Sequence, residues 1–150
     1  MDQQSFQDVV QFALEKEKEA VDFYKDCAET STRPGMKQAF QEMAKEEEHH
    51  VKMLENFTPK KVESLRIKDM PNLKIADYLV DMEFTPDMKY QDLLILAMKR
   101  EDAAYALYNN LANQSGDESV IKLFQILAQE ELKHKNRLEK EYDEVFLKNN

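Results

Sequence analysis

The chain has 150 residues, a formal net charge of −9, 34% charged side chains, 2 glycines and 4 prolines. This length is most simply one domain, residues 1–150, with a sizeable core, and the scarcity of glycine and proline predicts mostly helix. The negative charge argues against nucleic-acid binding and against a basic membrane-binding face. One cysteine, Cys27, excludes an internal disulfide. The chain shows no apolar run of membrane-spanning length and no signal pattern at its start, so we expect a cytoplasmic location.

The first half of the sequence predicts a helical hairpin. Apolar residues recur at steps of three and four from about Gln3 to Thr32, with Glu17 in the middle of their stripe. A turn at residues 31–35, in which Ser31 or Thr32 is able to cap, leads to a second helix from about Pro34 to Phe57. The apolar stripe of this second helix contains two ionisable residues, Glu47 and His50.

The middle of the chain lacks a long helical pattern. Thr58 to Thr85 is punctuated by threonine–proline and methionine–proline pairs, so it predicts a connection rather than a domain. Within it, residues Leu73 to Met82 have the spacing of a short helix.

The second half predicts another helical hairpin. A third helix is expected from near Pro86 to about Ser115, with Glu101 in its apolar stripe, and Gly116 is expected to end it as a left-handed cap. A fourth helix is expected from about Asp117 to Leu147, and its stripe contains Glu131 and His134.

The two hairpins are copies of one another. A shift of 84 positions, read directly from the sequence, places Glu17 on Glu101, Glu47 on Glu131 and His50 on His134, and it also places Tyr24 on Tyr108. The same shift places His49 on Lys133, so the alternative pair Glu46 and His49 is not repeated. His49 is therefore predicted to be a solvated surface residue.

The length of the connection bears on how the hairpins associate. An antiparallel arrangement of helices two and three needs only a tight loop, whereas a parallel one needs a connection along the whole bundle. The long segment between helices two and three favours the parallel arrangement. We therefore predict an all-α, ferritin-like four-helix bundle of two repeated hairpins, with one long crossover that contains the short helix.

The six repeated residues predict a dimetal site. Four glutamates and two histidines in apolar stripes are costly to bury unless cations compensate them, and two divalent ions balance four carboxylates. One glutamate from each of two helices plus Glu-x-x-His from each of the other two is a carboxylate dimetal ligand set. Oxygen-rich ligation with one imidazole for each ion suits iron(II) or manganese(II), whereas zinc sites built from cysteines alone or from three histidines look different. We expect two metal ions per chain, with iron first and manganese or zinc as the alternatives. The predicted metal ligands are Glu17, Glu47, His50, Glu101, Glu131 and His134.

These motifs resemble the ferritin-like domain of the rubrerythrin family. The resemblance lies in Glu17-x-x-Ala20-x-x-x-Tyr24 and Met43-Ala44-x-x-Glu47-x-x-His50, and in their repeats from Glu101 to Tyr108 and from Leu127 to His134. It implies a di-iron site in which Glu47 and Glu131 bridge the metals, Glu17 and Glu101 are terminal ligands, and each histidine binds one metal. It also implies that Tyr24 and Tyr108 hydrogen-bond the ligand carboxylates.

Two departures from the family pattern limit what the resemblance implies. Full rubrerythrins carry a rubredoxin-like domain with a four-cysteine iron site, which one cysteine cannot build. Some members have an extra glutamate one turn after the third-helix ligand, where this chain has Ala104.

The functional hypotheses differ in what the site does. The leading one is an oxidoreductase that reduces hydrogen peroxide or O₂ with electrons from an external donor, such as a rubredoxin-like protein. Iron oxidation, storage or transfer is the alternative, and a purely structural bundle is the third hypothesis. A homodimer is also expected.

Overall fold

The computed structural model describes residues 6–56 and 78–148. The chain divides into two compact units, residues 1–73 and 74–150. Each unit contains one helical hairpin: α1, Phe6–Thr30, with α2, Pro34–Glu55, and α3, Tyr90–Gln114, with α4, Glu118–Tyr142. The described ranges contain helices and no strand. The all-α prediction is confirmed, and the four helices are consistent with a ferritin-like four-helix bundle.

The first hairpin closes through residues 31–33. Pro34 occupies the first position of α2, where its missing N–H costs nothing because that N–H has no partner within the helix. The carbonyl of Arg33 accepts hydrogen bonds from the N–H groups of Met36 and Lys37, at 3.0 and 2.9 Å. The predicted cap by Ser31 or Thr32 is wrong: Arg33 is the N-cap residue, and its side chain makes no capping hydrogen bond. The Ser31 hydroxyl instead accepts from the N–H of Arg33 within the turn.

The second hairpin closes through residues 115–117, with a conventional cap. One carboxylate oxygen of Asp117 accepts from the N–H groups of Ser119 and Val120, at 2.9 and 3.3 Å. The predicted left-handed cap at Gly116 is wrong, because neither glycine has a positive φ. Ser115 leaves α3 in an extended conformation instead, and its hydroxyl accepts from the N–H of Asp117.

The start of α3 lies later than the sequence predicts. The N–H of Met88 bonds to the carbonyl of Thr85 at 3.1 Å, so Pro86 and Asp87 sit in a turn and the helix begins at Tyr90. Most of the predicted crossover, and residues 73–77 of its short helix, lie outside the described residues. Residues 79–82 of that predicted helix are not helical.

The described part of α4 leads into a wider helical turn. After Tyr142, α4 continues as a π-helical turn, Asp143–Leu147. The ring of Phe146 lies against those of Tyr90 and Tyr142, with centroids 6.1 and 5.2 Å apart. The hydroxyl of Tyr90 also donates to the carboxylate of Glu141, so the end of α4 is attached to the start of α3.

Each hairpin has the same aromatic pair in its core. Tyr24 on α1 stacks on Phe40 of α2, with ring centroids 6.1 Å apart and planes 19° apart. Tyr108 on α3 stacks on Phe124 of α4 at 5.9 Å and 16°. All four rings are buried. This agreement shows that the sequence repeat is also a repeat of packing. In the ranges 6–56 and 78–148, no helix is long and apolar enough to cross a membrane.

Candidate metal centre

The six predicted ligands are all buried. Each of the six residues exposes between 0 and 4% of its surface, although all six are ionisable. They face inward because the 3.6-residue period places each of them on the apolar stripe of its helix. His49, which lies off the stripe, is exposed, as the sequence predicts.

The first hairpin brings three of these residues together, and they form the first triad. Glu47 and His50 lie one turn apart on α2, and the His50 Nδ1 is 2.8 Å from Oε1 of Glu47. Glu17 comes from α1, and its Oε2 is 3.2 Å from the same Nδ1. One imidazole nitrogen therefore meets two carboxylates from two helices.

The second hairpin repeats this arrangement in a second triad. The His134 Nδ1 is 2.9 Å from Oε2 of Glu101 on α3 and 3.3 Å from Oε1 of Glu131 on α4. Both triads use the same ring nitrogen and the same carboxylate oxygens. In both, the histidine and the glutamate of the neighbouring helix are 33 positions apart.

Electrostatics favour a cation in the second triad. Burial alone lowers the pKa of His134, but its hydrogen bonds to Glu101 and Glu131 and their negative charges outweigh that effect. The pKa of His134 is raised to about 11 as a result. At neutral pH the imidazole of His134 is therefore expected to be protonated in the metal-free triad, with two carboxylates beside its Nδ1.

The donor spacing fits a metal ion. Ligand atoms at about 2.1 Å from one ion lie roughly 3.0 to 3.4 Å apart when the angle between them is octahedral or tetrahedral. The nitrogen-to-oxygen distances in the two triads run from 2.8 to 3.3 Å. Glutamate oxygens and imidazole nitrogen are also the donors that iron, manganese and zinc accept. Each triad could therefore hold a metal ion.

The remaining predicted site residues lie nearby on the same helices. Tyr24 follows Glu17 by two helical turns, and Tyr108 follows Glu101 by the same distance. Their burial and stacking fix the position of both rings, whereas their hydrogen bonding to ligand carboxylates stays a prediction. Ala104 is half-buried on α3 and has no carboxylate to offer. In the described residues, the groups able to hold a metal are drawn only from the six predicted ligands.

Paired helices with a buried Glu-x-x-His and a facing glutamate define the class of ferritin-like carboxylate metal proteins. The sequence matches the family model described as Rubrerythrin over residues 8–146. The chain belongs to the rubrerythrin family, whose domain binds a pair of iron ions. A search of curated proteins and a search of solved structures found no significant match.

Proposed function

We propose that the two triads together hold one pair of metal ions, most suitably iron. Glu47 and Glu131 would be shared between the ions, as the family resemblance implies, Glu17 and Glu101 would each bind one, and His50 and His134 would bind one each. The observation that carries this proposal is the repeated geometry, in which each Nδ1 lies within 3.3 Å of two buried carboxylates. Two divalent ions would balance the four carboxylate charges, and membership of the rubrerythrin family supports iron.

The function that this site supports best is reduction of hydrogen peroxide, with O₂ as the other oxidant. A bound pair of redox-active ions would supply two electrons at one place, which is what peroxide reduction needs: H₂O₂, two electrons and two protons give two molecules of water. The electrons come from an external donor, either a rubredoxin-like protein or a small reductant. These 150 residues contain one cysteine, so they cannot form a four-cysteine iron site.

The protein's own residues position the ligands and keep the site dry. Helical spacing holds Glu47 with His50, and Glu131 with His134, one turn apart before any metal arrives. Burial of both triads excludes bulk water and so limits side reactions of the oxidant with solvent. In this proposal Tyr24 and Tyr108 do not bind the metal ions but donate hydrogen bonds to the ligand carboxylates. Their stacked rings restrict where each hydroxyl can point.

Anaerobic loading with Fe(II), followed by stopped-flow mixing with peroxide, tests this function. We expect about two iron ions per chain and one peroxide consumed for every two irons oxidised, as the ligand set and the electron balance require. Oxidation should be much faster than that of free ferrous ion. The peroxidase proposal is wrong if peroxide reacts no faster with the loaded protein than with free Fe(II).

Matched histidine variants make the test specific. His50→Ala removes one proposed ligand, whereas His49→Ala removes an exposed neighbour on the same helix. The first should lower the iron content and the peroxide rate, and the second should change neither. If iron uptake continues far beyond two ions per chain with O₂ as the oxidant, iron storage replaces peroxide reduction as the function.

A further inference from the structure

The first hairpin carries a surface groove beside its triad. The groove has a volume of about 300 Å³ and is lined by residues of both α1 and α2. We call it the valine groove, because Val21 and Val51 are the apolar members of its lining. The lining also includes Lys18 and Glu48, which directly follow two ligands of the first triad along the chain. The valine groove therefore lies at the level of this triad on both helices.

The two valines cover the carboxylates of the first triad. Val21 is four residues after Glu17 on α1, and Val51 is four residues after Glu47 on α2. A helical side chain leans towards the N-terminus of its helix, so it covers the turn before its own Cα. Val21 is buried and Val51 is half-buried. Two small side chains thus form the layer between the valine groove and these carboxylates.

The second hairpin has larger side chains at the same two positions. Helices α1 and α3 begin at residues 6 and 90, and α2 and α4 begin at residues 34 and 118, so both pairs of helices repeat with the shift of 84. By this shift Tyr105 stands in the place of Val21, and Lys135 stands in the place of Val51. Tyr105 and Lys135 are both half-buried. Because tyrosine and lysine extend further than valine, the layer over the second triad is thicker.

Ion pairs hold Lys135 in this place. Its Nζ lies 2.7 Å from Oδ1 of Asp102 on α3 and 3.5 Å from Oε1 of Glu139 on α4. The shorter contact joins α3 to α4 across the positions that correspond to the valine groove. Lys18 and Val51, which occupy the places of Asp102 and Lys135 in the first hairpin, cannot form such a pair. The second hairpin is therefore closed at the point where the first has its groove.

The lining of the valine groove suits an uncharged molecule. Two lysines and three carboxylates line it, so their charges sum to only −1. Among these residues, Lys18 lies 3.9 Å from Glu55, and Glu48 lies 3.3 Å from Lys25 of α1. A hydrated cation would have to lose water to pass two valine side chains, which is costly, whereas hydrogen peroxide is small and carries no charge.

We propose that hydrogen peroxide reaches the metal ions through the valine groove, between Val21 and Val51, and that Tyr105 and Lys135 close the equivalent path in the second hairpin. This inference rests on the proposed function, because it assigns an entry side to the oxidant of that reaction. Valine fits the role, since its side chain is short and has no hydrogen-bonding group that would retain peroxide. The two triads, which share one set of ligand types, therefore differ in how the oxidant reaches them.

Exchange of residues between the hairpins tests this route in the iron-loaded, full-length chain. Val21→Tyr places the residue of the second hairpin in the valine groove, and Tyr105→Val is the reverse exchange. Nitric oxide, which is small, uncharged and binds ferrous iron without turnover, measures access by stopped-flow absorbance. Val21→Tyr should slow both nitric oxide binding and oxidation by peroxide by at least about tenfold, because added bulk in a close-packed layer raises the barrier to passage. Tyr105→Val should leave both rates within about twofold of the wild type, because Lys135 still covers Glu131.

The outcomes separate the route from the fold and from the proposed function. Iron content and circular dichroism should equal those of the wild type in both variants, since neither residue belongs to a triad. If Val21→Tyr does not fold or load iron, Val51→Phe takes its place with the same expected loss, because Val51 is half-buried and a larger side chain there can extend towards solvent. Peroxide that reacts no faster with the wild type than with free Fe(II) removes peroxide reduction as the function, while nitric oxide binding still reports on the route. Unchanged nitric oxide rates in the groove variant, or a larger change in Tyr105→Val, overturn the proposal.

Discussion

The proton held in the second triad should make metal affinity and metal-free stability depend on pH in opposite directions. The Nδ1 of His134 lies 2.9 Å from Glu101 and 3.3 Å from Glu131, and these contacts raise the pKa of His134 to about 11. A metal ion needs the same nitrogen without its proton. A change of pH tests this competition when the wild type is compared with His134→Gln, which removes the titrating group and keeps an amide donor.

The stability of the metal-free protein should fall as the solution becomes alkaline. The folded pKa of His134 lies above its ordinary value of 6.5, so the protonated group stabilises the fold fully below about pH 6.5. This contribution is lost as the pH rises from there through about 11. The loss is at most about 1.4 kcal/mol for each pH unit, which corresponds to a fall in Tm of roughly 3 to 6 °C for a chain of this size.

Metal affinity should rise over the same range. The metal must displace one proton from His134, so its apparent Kd should fall about tenfold for each pH unit below 11. At pH 7.5 binding to the second triad should release about one proton from this residue.

Two measurements check these expectations. Thermal unfolding of the metal-free protein between pH 7 and 10 should give a steeper fall in Tm for the wild type than for His134→Gln. Calorimetry in buffers of different ionisation enthalpy should show about one proton more released by the wild type than by the variant. His49→Gln, at the exposed neighbour of the first triad, should behave as the wild type in both. Equal Tm slopes and equal proton release in the wild type and His134→Gln would show that no proton on His134 competes with the metal ion.

Three further outcomes are expected. Glu131→Ala should abolish loading of two metal ions yet keep a helical protein, because it removes a buried charge together with a ligand; a variant that still binds two ions would remove Glu131 from the ligand set. Asp117→Ala should lower the free energy of unfolding, measured by chemical denaturation, by about 1 kcal/mol, because the Asp117 carboxylate accepts from two N–H groups at the start of α4. An unchanged denaturation midpoint would contradict this capping role. Phe124→Ala should lower the free energy of unfolding by about 3 to 5 kcal/mol, because the ring is fully buried against Tyr108. Gln125→Ala, at an exposed position, should lower it by less than about 0.5 kcal/mol. Similar losses in the two variants would contradict this packing.

Periodicity predicted the parts of this protein that depend on burial. The apolar stripes placed Glu17, Glu47 and His50 on inward-facing positions, and the 84-residue repeat separated His50 from the exposed His49. Those two signals are strong because each helix has many positions that agree. The all-α fold and the family followed from the same patterns, whereas the single domain and the roles of the ligands stay predictions.

Helix ends were harder to predict, because only one or two hydrogen bonds decide each of them. Gly116 was predicted to be a left-handed cap, but Ser115 ends α3 in an extended conformation and Asp117 caps α4 only two residues later. The N–H of Met88 donates to the carbonyl of Thr85 in a turn, and α3 begins only at Tyr90. Sequence spacing alone also could not reveal the π-helical turn at residues 143–147, since an α-helix fits the same spacing.

Gly116 has one more consequence, which it shares with Gly35. Both have ordinary backbone angles, and a Cβ atom added at either position would meet nothing within 4 Å. Their extra freedom therefore serves only the denatured ensemble, where it favours the disordered chain. Alanine at either position should recover about 0.4 to 1 kcal/mol. The protein could therefore be made more stable to heat by substitutions at Gly35, in the first turn of α2, and at Gly116, in the connection before α4. Neither position is a predicted metal ligand.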